Sequence, residues 1–236
     1  MGYNPAITSS ANSPTLRRPW YFYLGWGLAR LILFTCARYR VTGADKLPAE
    51  GPVLVCSNHL HLADIPVVVV SLRRKVIFMA KEDLFRGRLS RHLVHNFGAF
   101  PVRRGQIDRQ AIREAETALA KGWVLVMFPE GTRSLTGQLQ PAFPGSALVA
   151  SRAGVPILPI GISGTEQIRK KWWVFRRPRI AVKIGAPFRL PSSEGVRLDS
   201  EELERRTSLI MERIAALLPP EYRGRYRDSA GGQNAI

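Results

Sequence analysis

Pro52-Val53-Leu54-Val55-Cys56-Ser57-Asn58-His59-Leu60-His61-Leu62-Ala63-Asp64-Ile65-Pro66 is the stretch from which the fold can be read outward. Pro52 to Cys56 is an apolar run that reads as a buried strand, and Val67 to Val70 is apolar again. The polar block between them therefore lies on a loop at a strand's end, with Asp64 entering a first helical turn. In an open α/β sheet that is where ligands and chemistry collect. Within one helix a histidine and an acid five residues apart would point away from each other. A loop His59 and a first-turn Asp64 can meet. Two readings of the pair stand open. In one, Asp64 holds one ring nitrogen and leaves the other as a general base for a hydroxyl or thiol. In the other, His59 satisfies loop backbone and Asp64 caps the helix. His61, three residues before Asp64, competes for the same carboxylate.

Strand-like runs recur on both sides of this block: Tyr39 to Thr42, Val76 to Ala80, Gly98 to Val102, Val124 to Phe128, Pro156 to Ile162 and Ile180 to Ile184. Helical patterns fall between several of them. Gln106 to Lys121 places Ile107, Ala111, Ile112, Ala115, Ala118 and Leu119 on one face. Phe143 to Ala153 is ended by Gly154 and Pro156, and Glu201 to Leu218 closes the series. Strands alternating with helices predict an α/β fold, a mixed, largely parallel sheet flanked by helices. The chain divides into a flexible tail over residues 1–19, an N-terminal helix over 20–38, one α/β domain over 39–220, and a basic, Gly-rich tail over 221–236 that is expected to fray.

Charge is the compositional outlier. Lys and Arg number 35 against 18 Asp and Glu, a net charge of +17 over 236 residues. Such a surface attracts polyanions, either nucleic acid or an anionic membrane face. Trp20 to Cys36 favours the membrane. It is apolar and rich in aromatic residues, which prefer the interface, while Arg30 splits the run and can snorkel to headgroups. A spanning helix needs roughly 20 apolar residues, so an interfacial membrane helix is expected. The alternative is a hydrophobic helix packed on the domain. Aromatic residues concentrate in this segment, and no nucleic-acid-binding motif accompanies the charge, so no nucleic-acid partner is expected. Cys36 and Cys56 lack a second Cys or a His at metal spacing and read as free thiols, which suits a reducing compartment.

Three further blocks stand at strand ends. Phe128-Pro129-Glu130-Gly131-Thr132-Arg133-Ser134 offers a glycine that lets a substrate approach the backbone, a carboxylate that accepts from a hydroxyl, and a planar guanidinium that grips phosphate. It also reads as a polar turn with a surface arginine. Gly98 to Arg104 ends in the adjacent pair Arg103 and Arg104, of which an extended chain turns one toward a site and one away. Val155 to Pro159 carries no reactive group. The chain has no G-x-S-x-G elbow, no phosphate-binding P-loop and no dinucleotide fingerprint. His92 and His95 have no carboxylate or cysteine partner in sequence, so no metal site is expected.

Taken together and in this order, the four blocks resemble the glycerolipid acyltransferases, specifically the bacterial 1-acyl-glycerol-3-phosphate (lysophosphatidic acid) acyltransferases. The resemblance runs from about Val41 to Pro187. The family's N-H-x-[ST]-x-x-D is present as Asn58 to Asp64, with His61 where the family usually has Ser or Thr. F-P-E-G-T-R-S is present unchanged from Phe128 to Ser134, V-P-[IV]-x-P is Val155 to Pro159, and Ala80-Lys81-Glu82-Asp83-Leu84 resembles the A-K-x-E-L segment.

The resemblance implies that His59 takes the proton of a free glycerol hydroxyl as its oxygen attacks a thioester carbonyl, while Asp64 orients the imidazole. It implies that Lys81, Arg104 and Arg133 hold the acceptor's phosphate, that Glu130 and Gly131 position its glycerol, and that Thr132 is among the substrate-binding residues. The acyl donor would be acyl-coenzyme A or acyl-carrier protein, with no cofactor, and the product phosphatidic acid. The partners would be an anionic membrane surface and lysophosphatidic acid, and the location the cytoplasmic face of the cell membrane, peripheral or monotopic. Another lysophospholipid or glycolipid acceptor is the neighbouring alternative. A hydrolytic relative, in which water replaces the hydroxyl, is the more distant one.

Overall fold

β2 (Val53–Ser57) is buried along its whole length because it has a strand on each side and helices over both faces. The computed structural model describes residues 20–72, 74–85, 87, 98–102, 108–169, 171–191 and 198–227. The other strands are β1 (Arg38–Thr42), β3 (Val76–Lys81), β4 (Ala99–Val102), β5 (Val124–Met127), β6 (Ile157–Ser163) and β7 (Arg179–Ile184). They form one seven-stranded sheet in the order β1-β7-β6-β2-β5-β3-β4. Every neighbouring pair is parallel except β6 and β7. The mixed, largely parallel α/β sheet expected from the sequence is the one observed, with strand ends displaced by one or two residues at most.

The helices are α1 (Trp20–Cys36), α2 (Asp64–Ser71), α3 (Arg109–Ala120), α4 (Gly145–Ala153), the single turn α5 (Trp173–Arg176) and α6 (Ser200–Ala215). On one face α1 and α2 cover Val53, Val55, Phe78, Val126, Leu158 and Ile160. On the other, α3, α4 and α6 cover Leu54, Cys56, Ile77, Leu125 and Ile157. Alternate residues of β2 thus enter two separate cores, as the pleat requires. Asp108 caps α3 by accepting the N–H groups of Gln110 and Ala111 at 3.0 and 3.1 Å. Arg206 of α6 is buried because Glu202, the Ser151 hydroxyl and the Pro191 carbonyl all accept its N–H groups, which ties α6 to α4. Gly161 is the one residue type that lets β6 pass under Leu217, since an added Cβ would stand 2.9 Å from that side chain.

The described part of the expected C-terminal tail departs from expectation. Residues 220–227 do not fray: they form two 3₁₀ turns. Tyr222 accepts the Leu139 N–H through its carbonyl at 2.9 Å and donates its hydroxyl to Glu166 at 3.0 Å. An apolar Tyr222 and Tyr226 packed on the core outweigh the polar composition that suggested fraying. Residues 1–19 and 228–236 lie outside the described residues. Among the described residues, no helix is long and apolar enough to cross a membrane. α1 buries Leu33 and leaves Trp20, Tyr23, Leu24, Leu28, Leu31 and Phe34 exposed.

Candidate active site

Parallel pairing brings the carboxyl ends of β2, β5 and β6 to one edge of the sheet. The chain leaves β2 for β3 by way of α2 on one face and leaves β5 for β6 by way of α4 on the other. Crevices form at such reversals. The loops that open there are Asn58–Ala63, Phe128–Phe143 and Gly164–Arg169.

Asn58 extends β2 by one residue with its side chain. Its amide donates to the Ile162 carbonyl at 2.8 Å and its carbonyl accepts the Ile162 N–H at 2.7 Å. The chain then turns, and His59 Nδ1 lies 2.8 Å from Asp64 Oδ2. The same carboxylate oxygen accepts the backbone N–H groups of Leu60 at 2.6 Å and His61 at 2.8 Å. Oδ1 accepts the Thr165 hydroxyl at 2.5 Å. Asp64 is fully buried and receives four donors, so the imidazole proton sits on Nδ1 and the lone pair on Nε2. Nε2 has no hydrogen-bond partner among the described residues. Phe128 stacks on the imidazole at 4.2 Å between ring centres and 21° between planes, which fixes the ring's tilt.

His61 does not compete for Asp64 through its ring. Its Nδ1 accepts the Ala63 N–H at 3.2 Å, a contact that a Ser or Thr hydroxyl makes in the same kind of turn. Burial lowers the pKa of this imidazole. Asp64 acts against that, and the charges of Arg169, Arg133 and His59 add to it.

The third block holds the first in place. Glu130 is buried; its Oε1 accepts the His59 N–H at 2.9 Å and its Oε2 the Gln140 N–H at 2.8 Å. Both oxygens thus face backbone, whereas the resemblance implied that Glu130 faces the acceptor's glycerol. Burial pushes its carboxyl up to about 7, against the pull of the two backbone donors and with help from the Asp64 charge. Ser134 returns the link, donating its N–H to the His59 carbonyl at 2.7 Å. Gly131 sits at φ +65°, and a Cβ there would stand 2.9 Å from the Phe143 ring. Thr132 and Arg133 are exposed on the same turn. Arg133 is near enough to His61 to bias its charge.

Lys81 ends β3 and pairs with Val102 at the end of β4, so both strands end at the His59 edge of the sheet. The Lys81 side chain lies outside the described residues, as do Arg104, His92 and His95. Among the described residues, no cluster of His, Cys, Asp and Glu could hold a metal ion. Burial raises the pKa of the Cys56 thiol, so it stays protonated in the core. Two residues at the site carry no sequence signal that points there. Thr165 reaches Asp64 across 101 positions. Arg169 Nη2 donates to the carbonyls of Leu60 and Ser134, each at 2.7 Å, and so ties the first block to the third.

The model of the family described as Acyltransferase matches residues 38–163, which hold all four of the strand-end blocks. The chain belongs to the acyltransferase family. A 1-acyl-sn-glycerol-3-phosphate acyltransferase of Pseudomonas aeruginosa is 34% identical over 190 residues, covering 79% of this chain and 72% of the relative. That of Bacillus subtilis is 24% identical over 195 residues and is covered for 96% of its length. The chain spans 45% of the chloroplastic relative from Brassica napus, at 28% identity. The crystal structure of the lysophosphatidic acid acyltransferase PlsC from Thermotoga maritima superposes with a TM-score of 0.61 at 26% identity, over 78% of this chain and 74% of that one. The resemblance of this acyltransferase-family chain to bacterial lysophosphatidic acid acyltransferases is therefore shown.

Proposed function

We propose that the protein transfers a fatty acyl group from an acyl thioester, acyl-coenzyme A or acyl-carrier protein, to the free hydroxyl of 1-acyl-glycerol-3-phosphate. The observation that carries the reading is the His59–Asp64 contact with Nε2 left as acceptor. Nε2 takes the hydroxyl proton as the oxygen attacks the thioester carbonyl. Asp64 holds the imidazolium that forms. The tetrahedral intermediate collapses with loss of the C–S bond, and the imidazolium returns its proton to the thiolate. The donor arrives activated, so the cycle needs no acyl-enzyme and no cofactor.

Arg133, with Lys81 and Arg104 from the neighbouring strand ends, receives the acceptor's phosphate, and Gly131 and Thr132 line its glycerol. The backbone N–H groups of Gly131 and Ser134 donate to the Phe128 and His59 carbonyls. Those of Thr132 and Arg133 have no protein acceptor among the described residues and are open to a developing oxyanion. The substrate names of the relatives support the acceptor. The exposed apolar face of α1 and the net charge of +17 support work at an anionic membrane, on its cytoplasmic face.

The test is purified protein with one acyl-coenzyme A and a panel of lysolipids, read by mass spectrometry. Phosphatidic acid is the expected product, and His59→Ala lowers its rate by roughly a hundred- to ten-thousandfold. Donor loss that ignores the lysolipid would mean hydrolysis instead.

A further inference from the structure

The chain from Thr165 to Arg179 runs outward from the site. Thr165 and Arg169 bond the first block, and the next described residues are Lys171, Trp172, Trp173, Val174, Phe175, Arg176 and Arg177. Trp172 is 72% exposed and Phe175 78%, and the two rings lie against each other at 5.8 Å. Trp173 turns inward by comparison. Two exposed aromatic rings side by side are costly in water, and nothing in the fold demands them.

The backbone holds them there under strain. Trp172 has φ 63° and Arg177 φ 43°, the two positive-φ residues other than glycine among those described. Each costs about 1–2 kcal/mol relative to a right-handed conformation. Lys171, Arg176, Arg177 and Arg179 are exposed around the pair. From Arg169 to Arg179 the sequence has six basic residues and no acidic one.

This turn does not stand alone. α5 packs beside α1, whose outer face carries Trp20, Leu24, Leu28 and Leu31 in the open. Arg30 lies over the rings of Trp26 and Phe34 at 5.4 and 5.5 Å, a cation held at the edge of that apolar face. Toward the site, Leu62 and Leu135 are also exposed, two residues after Leu60 and one after Ser134, the pair joined by Arg169.

We propose that the Lys171–Arg177 turn is a second membrane-contacting element. Trp172 and Phe175 enter the headgroup boundary of an anionic bilayer while Lys171, Arg176 and Arg177 pair with its phosphates. Together with α1 it makes a two-point contact that sets the site mouth, two residues away at Arg169, against the lipid. The inference deepens the acyl-transfer reading by naming how a lipid acceptor reaches His59. Charge and aromatic character both select an anionic interface: aromatic rings sit at headgroup depth, and basic residues add about 1 kcal/mol each near an anionic leaflet.

The experiment is co-sedimentation of the full chain with vesicles of phosphatidylcholine containing phosphatidylglycerol, with no acyl donor present. Its failure leaves acyl transfer untouched, and loss of acyl transfer leaves it untouched. Trp172→Ala with Phe175→Ala is expected to weaken binding roughly tenfold. Lys171→Gln, Arg176→Gln and Arg177→Gln should weaken it about fivefold per charge, on anionic vesicles and at low salt alone. Circular dichroism reports the fold of each variant. A second readout avoids the deletion altogether: an environment-sensitive fluorophore on Val174→Cys in a Cys36→Ser background should brighten on anionic vesicles. Binding within twofold of wild type together with a silent fluorophore would overturn the proposal. So would retained vesicle binding with lost capture of single-stranded DNA or of acyl-carrier protein, which would give the turn to a nucleic acid or an acidic protein.

Discussion

The backbone N–H of His59, on the loop after β2, donates to the buried carboxylate of Glu130, on the loop after β5, at 2.9 Å. The His59 carbonyl in turn accepts the Ser134 N–H at 2.7 Å. Both backbone groups of the proposed base are therefore held by the third block. Its imidazole is held separately, by Asp64 and by stacking on Phe128. A base whose backbone and ring are fixed independently presents Nε2 in one direction, which is what proton transfer in a short-lived encounter requires.

Glu130 makes stability depend on pH. Burial raises its carboxyl from 4.5 to about 7 in the folded protein. The folded state thus binds a proton that the unfolded state has released over that interval. Its contribution is full below about 4.5, falls as pH rises toward 7, and is level above, with a span of about 3 kcal/mol. Glu130→Gln removes this slope. It is also less stable at low pH, because an amide nitrogen cannot accept a second backbone N–H. Urea unfolding of both proteins between pH 4 and 8 checks it; a slope that survives in the variant belongs to another group.

Gly131→Ala meets two separate penalties, the positive φ and the Phe143 ring. Their sum is about 2–4 kcal/mol. Adding Phe143→Ala relieves the second alone, so the double variant should lose less than the two single variants together by at least about 1 kcal/mol. Strict additivity in denaturant melts would show that Phe143 moves aside freely.

In the proposed mechanism Thr165 acts on the reaction through Asp64, whose Oδ1 accepts its hydroxyl. Thr165→Val keeps the shape and removes the hydroxyl that donates to Oδ1. The turnover number should fall roughly tenfold, an effect of about 1.4 kcal/mol, with the acceptor KM unchanged. Thr165→Ser should restore it. A change in KM with turnover intact would assign Thr165 to substrate binding.

Arg133 is exposed on the third block, with its charge felt at His61, and is proposed to meet phosphate. Arg133→Ala should raise the acceptor KM at least about tenfold, in line with loss of a charge-assisted contact, and leave the donor KM nearly unchanged. Steady-state kinetics with each substrate varied in turn separates the two. An equal rise in both would move Arg133 away from the acceptor.

Local pattern alone revealed the seven strands, most plainly where a strand covered on both faces must be apolar at successive positions, as in Val53 to Cys56 and Val124 to Met127. It also revealed that His59 and Asp64 share a loop and a helix start, since their separation is short. Strand order was not legible. β5 lies between β2 and β3, and β7 runs against β6, and such pairings rest on contacts between residues far apart in the chain. The same distance hid Thr165 and Arg169, which reach the site across 101 and 109 positions, and the inward turn of Glu130. A sequence shows which side chains are able to bond; burial and long-range pairing decide which atoms they find, and that decision is made when the sheet closes.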